Sequence, residues 1–304
     1  MYYSKDFKKK EYGLDPIHVR TACGLIYISF AEHPVEFDPF VRDLESHLKL
    51  YHLDQAKIAY HKSYTLSCNW KILCENFCEC YHCGIAHPEY TARLMYAGVA
   101  ASPSLKGKGD VIEKERSAYY SRNGLCTDLL SSNGGWNTES WYYMARAAFQ
   151  PGYVSQTKDG GLVAPLLGEL KGPDAGSFAF FSRPNGIMEA SSDHAALLRF
   201  TPISATQSQA DAYWLVRQDA VEGKDYDVER VTWLWKTTGE QDWTICVNNQ
   251  AGVNSSSYRP GPYSEIELSG GVEDFIRWYL KQLRPKDAFL KTNSQSSQVI
   301  ASAA

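Results

Sequence analysis

Residues 75–89 read ENFCECYHCGIAHPE, and Glu79, His82 and His87 place one carboxylate and two imidazoles close together in the chain. Two histidines and one carboxylate, with further coordination positions left open, form the ligand set of non-haem Fe(II) centres that activate dioxygen. Helix geometry limits how these residues can share an ion. Glu79 and His82 fall on nearly one face of a helix, whereas His82 and His87, five positions apart, are separated by about 140°. Both imidazoles can meet one metal only if the helix ends or distorts between them, and Gly84 and Pro88 supply that break. The spacing also argues against a zinc peptidase, which needs histidines at i and i+4. A lone histidine reads most simply as an ordinary half-buried side chain, but the three residues together favour a metal site.

Outward from this segment, the pattern alternates between strand and helix signals. VRTACGLIYISFA at 19–31 reads as two short strands around Cys23-Gly24, and 38–50 has apolar residues at helical spacing. Residues 57–67 alternate as a strand, and 69–90 start as a helix. From 96 to 175 the chain is rich in Gly, Ser and Pro, which predicts loops and short elements. Residues 176–217 alternate again, with a turn at Pro184-Asn185-Gly186, and read as an antiparallel meander. A helix is expected over 225–250 with an interruption at Gly239, and another over 272–284, stopped by Pro285. Antiparallel strands followed by long helices predict an α+β domain with helices on one face of the sheet. The expected domain covers 1–291, and 292–304 is expected to be a disordered tail. GGVED at 270–274 follows no convincing strand and reads as a helix cap, not a phosphate loop.

Composition narrows the function classes. The 304 residues include 31 basic and 35 acidic side chains, a formal charge of −4 that argues against nucleic acid or an anionic membrane as the main partner. No stretch approaches the length of a membrane span. Eight cysteines lie at 23, 68, 74, 78, 80, 83, 126 and 246. In a chain of this size with no apolar leader they are expected to be reduced thiols in a cytoplasm. Cys80 and Cys83 have no second C-x2-C partner, so they make a poor structural zinc site.

ENFCECYHCGIAHPE, with the preceding Asn69-Trp70-Lys71, resembles the iron-binding segment of the catalytic alpha subunits of Rieske-type non-haem iron oxygenases. The closest likeness is to the quaternary-amine branch, beside the aromatic-ring hydroxylases. VRTACGLIYISFA resembles the strand pair that follows the Rieske domain, and GEQDWTICVNNQAGVNSSSYRPGPYS at 239–264 resembles the family's late segment. The likeness runs from about residue 11 to 284. It implies a helix-grip (START/Bet v1-like) antiparallel sheet with a long C-terminal helix, 272–284, packed across it. It puts His82, His87 and Asp242 on a mononuclear Fe(II), with Glu240 as the rival third ligand. Glu79 takes the place of a bridging carboxylate, usually Asp, that links an iron-ligand histidine to the cluster of a neighbouring subunit.

The implied activity is monooxygenation (N-demethylation or hydroxylation) or cis-dihydroxylation of a small organic substrate with O2. The implied electrons come from NAD(P)H through a reductase and a Rieske [2Fe-2S] cluster or ferredoxin, in a homotrimer. A Rieske cluster needs C-x-H and C-x2-H; the one C-x-H here, Cys80-Tyr81-His82, overlaps the iron motif, and no C-x2-H follows. The sequence is therefore expected to start just after a Rieske domain, as a fragment or as a chain served by a separate cluster protein. For a quaternary ammonium substrate, Trp136, Trp141, Tyr142 and Tyr143 are candidates for an aromatic cage, with core packing as the competing role. The alternatives are a metal-free helix-grip domain that binds a small ligand or lipid, and an inactive fragment.

Overall fold

A computed structural model of the chain describes residues 8, 12–131, 140–262 and 271–283. The hairpin β1 (His18–Ala22) and β2 (Leu25–Ser29) turns through Cys23 and Gly24, both at positive φ. A side chain at Gly24 would also meet the backbone of Asp54. Helix α1 (Asp38–Leu48) and strand β3 (Lys57–Leu66) follow. The chain then breaks into short helices: α2 (Trp70–Asn76), α3 (Cys83–Ala86), α4 (Pro88–Thr91) and α5 (Met95–Ala101). Helix α6 (Lys106–Arg122) leads to β4 (Leu130–Ser131) and β5 (Tyr142–Ala147). The meander comprises β6 (Ser177–Ser182), β7 (Gly186–Ala190), β8 (Ala195–Ser204) and β9 (Gln207–Val216). Helices α7 (Val228–Val253) and α8 (Val272–Leu283) complete the described chain.

Seven strands form one antiparallel sheet in the order β3-β9-β8-β7-β6-β5-β4. Successive side chains point to opposite faces, so the sheet separates two cores. On one face Ile187, Leu198 and Phe200 pack with Leu73 of α2, Leu234, Trp235 and Trp243 of α7 and Phe275 of α8. On the other, Phe178, Phe180, Met188 and Ala190 pack against Phe40, Leu44 and Leu48 of α1 and Tyr120 of α6. The α+β class and the meander match expectation. Helices on a single face do not: α1 has a strong apolar stripe of its own and needs the second face to bury it.

Three further expectations change. The 96–175 region holds the 17-residue helix α6 as well as loops; most of that helix is exposed, so no apolar stripe announced it. Gly239 does not interrupt α7, which runs for 26 residues. There the missing side chain makes room for Trp243, whose ring would lie 3.2 Å from an added Cβ. Among the described residues the longest helix is thus α7, whereas α8 has 12 residues. The expected reduced state also fails at one pair: Cys80 and Cys83 form a disulfide, their Cα atoms 4.9 Å apart, within bridging distance. The expected tail and Trp136 lie outside the described residues.

Candidate metal centre

Local sequence breaks set the frame of the site. Asn69 caps α2 by accepting from the Lys71 N–H at 2.9 Å, and its own N–H donates to Gln250 of α7 at 2.8 Å. This ties the helix that precedes the motif to the one that carries Asp242. His82 lies just before α3 and His87 just after it, so one helical turn separates them. His87 has φ −127° and ψ 62°, outside the helical region, as expected for a residue before Pro88. The anticipated break is thereby located. Gly84 lets α3 approach α5 closely, since an added Cβ would sit 2.9 Å from Ala101 Cα.

Three donor atoms converge. Nε2 of His82 and Nε2 of His87 are 3.0 Å apart. Asp242 Oδ1 lies 2.9 Å from the second and 3.2 Å from the first. Asp242 is 2% exposed on α7, and Asn76 Nδ2 donates to its Oδ1 at 2.6 Å. Glu240 points elsewhere, accepting from Lys62 at 2.9 Å and Tyr64 at 3.2 Å.

The other ring nitrogens determine what the converging atoms are. His82 Nδ1 contacts the Glu79 carboxylate, which also accepts from the Tyr81 and His82 backbone N–H groups. His87 Nδ1 meets Gln241 Oε1 at 2.7 Å, and Gln241 Nε2 donates to Glu89 at 3.1 Å, which fixes the orientation of the amide. Both imidazoles therefore donate through Nδ1–H and turn Nε2 inward, where it can offer a lone pair to a metal. Two such nitrogens and a carboxylate oxygen at these separations repel unless a proton or a metal cation lies between them.

Titration behaviour follows the same logic. Burial opposes a charge on His82, but the carboxylates of Asp242 and Glu79 outweigh it and hold its pKa up at about 9. Burial likewise opposes charging of His87, and Asp242 and Gln241 again raise the pKa. Burial would raise the pKa of Asp242, yet the two imidazoles keep it below the usual carboxylate value.

The donor set fits a metal. Atoms bound about 2.1 Å from one ion at right angles lie about 3.0 Å apart, whereas a tetrahedral centre spreads them to about 3.4 Å. The observed edges of 2.9, 3.0 and 3.2 Å are short enough for the three atoms to share one ion. Cys83 lies within reach of both imidazoles, but its sulfur is bonded to Cys80.

The three donors line a cavity of about 420 Å³, with Phe77, Tyr90, Tyr143, Phe181 and Trp235 among its walls. Of the aromatic residues singled out in the sequence, Tyr143 lines it and stacks on Phe181 at 4.5 Å. Tyr142 does not: strand alternation turns it to the opposite face, where its hydroxyl donates to Asp43 at 2.7 Å. Trp141 precedes the strand and stacks with Phe37 in a separate groove. The aromatic walls at Tyr90 and Trp235, and the supports Asn76 and Gln241, were not singled out. Gln241 adjoins Asp242 and Tyr90 follows His87 by three, which is the only signal that could have found them.

The sequence matches the family described as ring hydroxylating alpha subunit (catalytic domain) over residues 53–284. It is 35% identical over 289 residues to the glycine betaine monooxygenase oxygenase subunit of Pseudomonas aeruginosa, covering 91% of this chain and 63% of that one. The corresponding subunit of Chromohalobacter salexigens is 34% identical over 277 residues, with 90% and 60% covered. The chain thus spans less than two thirds of the length of these relatives. In fold it is similar to a quaternary ammonium Rieske monooxygenase solved in connection with carnitine oxidation by gut microbiota, at a TM-score of 0.57 and 16% identity, with 91% of this chain and 64% of that one covered. Among the described residues no helix is long and apolar enough to cross a membrane.

Proposed function

The chain belongs to the ring-hydroxylating alpha-subunit family, and from that premise we propose that it is the catalytic unit, over 1–291, of a non-haem iron oxygenase. His82, His87 and Asp242 hold a ferrous ion, and the observation that carries this reading is their triangle of 2.9–3.2 Å edges. The chemistry supplied by iron in that position is activation of dioxygen. Glu79 and Gln241 keep both imidazoles in the tautomer that offers Nε2, and Asn76 orients the carboxylate of Asp242. The aromatic walls exclude water and hold a small organic substrate beside the metal.

The substrate in this reading is a quaternary amine that undergoes N-demethylation, and similarity to glycine betaine monooxygenase oxygenase subunits supports the choice of amine; ring hydroxylation of an arene is the alternative. Electrons reach the site from a Rieske [2Fe-2S] centre outside the described residues, fed by NAD(P)H through a reductase. Glu79, 18% exposed at its side chain, stands where such a donor in a neighbouring subunit of a homotrimer would couple to His82. The architecture is read as a helix-grip sheet covered by α7 and α8, and the location as cytoplasmic.

Anaerobic reconstitution with Fe(II) tests the site. One iron per chain is expected for the wild type and for Glu240→Ala, and loss of iron for His82→Ala and Asp242→Ala. Wild-type protein that stays metal-free while still binding small ligands would replace the oxygenase with a ligand-binding domain of the same fold.

A further inference from the structure

A carboxylate lies in the wall of the cavity with no role in holding the metal. Glu189 on β7 is 3% exposed yet lines the cavity. Its register partner on β6 is Ala179, whose own partner on β5 is Ala145. This row across three strands therefore carries one carboxylate and two methyl groups, leaving space in front of the charge.

Four donors turn toward it. Tyr90 donates to Oε1 at 2.6 Å and Tyr96 at 3.2 Å; Gln156 Nε2 donates to Oε2 at 2.5 Å and Ser177 at 3.0 Å. The Gln156 amide cannot be reversed, because its Oε1 accepts from the indole N–H of Trp235 at 3.1 Å. These groups solvate a carboxylate but bring no opposite charge. Among the described residues, no lysine or arginine lines the cavity, and no ion pair reaches Glu189.

A buried charge without a counter-charge is costly. Burial raises the pKa of Glu189, and the four donors offset that only in part. With a ferrous ion in place, Asp242 and Glu79 would balance its two charges, so the charge of Glu189 would remain in surplus. A second metal is a poor partner, since the surrounding groups are donors and ring faces, not converging acceptor oxygens. A soft organic cation suits them, because ring faces attract it and the carboxylate neutralises it.

We propose that Glu189 is the residue that selects a small alkylammonium substrate, receiving its cationic group beside the rings of Tyr90, Tyr96 and Tyr143. The inference rests on the reading of this cavity as the substrate site. The test compares choline with its carbon isostere, in which a tert-butyl group replaces the trimethylammonium, by calorimetric titration of the protein after anaerobic incubation with Fe(II). Wild type should prefer the cation by about tenfold or more. Glu189→Gln should lose that preference while its affinity for the neutral isostere stays the same, and Glu189→Asp should retain part of it. Equal binding of the two probes by wild type, absence of cation binding, or an unchanged preference in Glu189→Gln would overturn the proposal. The wild-type comparison is decisive even if a variant does not fold. Iron stoichiometry on the same samples separates the two readings: normal iron without cation preference removes only this one, and cation preference without iron removes only the oxygenase.

Discussion

Gln241 shows how a neutral side chain can control a charged site. Its carbonyl oxygen takes the Nδ1–H of His87 at 2.7 Å, while its amide is anchored on Glu89. Without that acceptor the ring of His87 can rotate or change tautomer, and Nε2 no longer points at its partners. Gln241→Leu is therefore expected to weaken metal binding by about 10–100-fold with the fold retained. Anaerobic titration with Fe(II), alongside circular dichroism, measures both, and wild-type affinity in the variant would show that the contact is incidental. Glu79, His82 and His87 were legible because their relation is local, set by positions within one short segment. Asp242 came only from family resemblance. Gln241 and Asn76 were not legible, because their acceptor and donor roles exist only once α7 packs beside α2.

At the scale of elements, three strands are cross-linked by one carboxylate. Asp211 on β9 faces Ser63 on β3 and Arg199 on β8 in register. It accepts from Ser63 Oγ at 2.5 Å and from Arg199 Nη2 at 2.7 Å, and its side chain is 1% exposed. Burial pushes its pKa up, but these donors, with Gln209 and His61, outweigh it and bring the pKa down to about 2. The folded value is below the ordinary 3.8, so this stabilisation is present above pH 3.8 and disappears as the pH falls toward about 2. Asp211→Asn should lose about 1.5–3 kcal/mol near neutral pH and show a flatter stability profile across that acid range. Urea unfolding at neutral pH and at several acid values reads both effects; parallel curves for the two proteins would refute the assignment.

The elements also show where pattern reading succeeds. The meander at 177–216 was visible through period-two alternation and its turn residues, which are local signals. Helix α6 was not, because a mostly exposed helix carries no stripe. Gly239 misled in the opposite sense: a residue that usually weakens a helix is retained there for the space that Trp243 fills.

For the whole molecule, the sheet is the common wall of two cores. Phe40 of α1 is fully buried on the face away from the cavity, against Tyr142 at 5.0 Å and Phe180 at 6.2 Å. Phe40→Ala should cost about 3–5 kcal/mol of stability. The folded fraction should still bind iron as wild type does, since the donors stand on the opposite face. Denaturant unfolding with iron stoichiometry on folded protein checks this. A variant of normal stability, or one that is folded but iron-free, would contradict the division into two faces.

The sequence by itself determined the α+β class, the antiparallel meander, the break between His82 and His87 and the family to which the chain belongs. Each of these depends on neighbours within a few residues, or on whole motifs, where spacing translates directly into geometry. Only the tertiary structure decided that Asp242 rather than Glu240 meets the imidazoles, that helices cover both faces of the sheet, and that Glu189 and Tyr90 share a cavity with His82, His87 and Asp242. Those relations join residues many positions apart, and they are settled by which face of a helix or strand can bury its apolar side, a choice made jointly by all the elements that pack there.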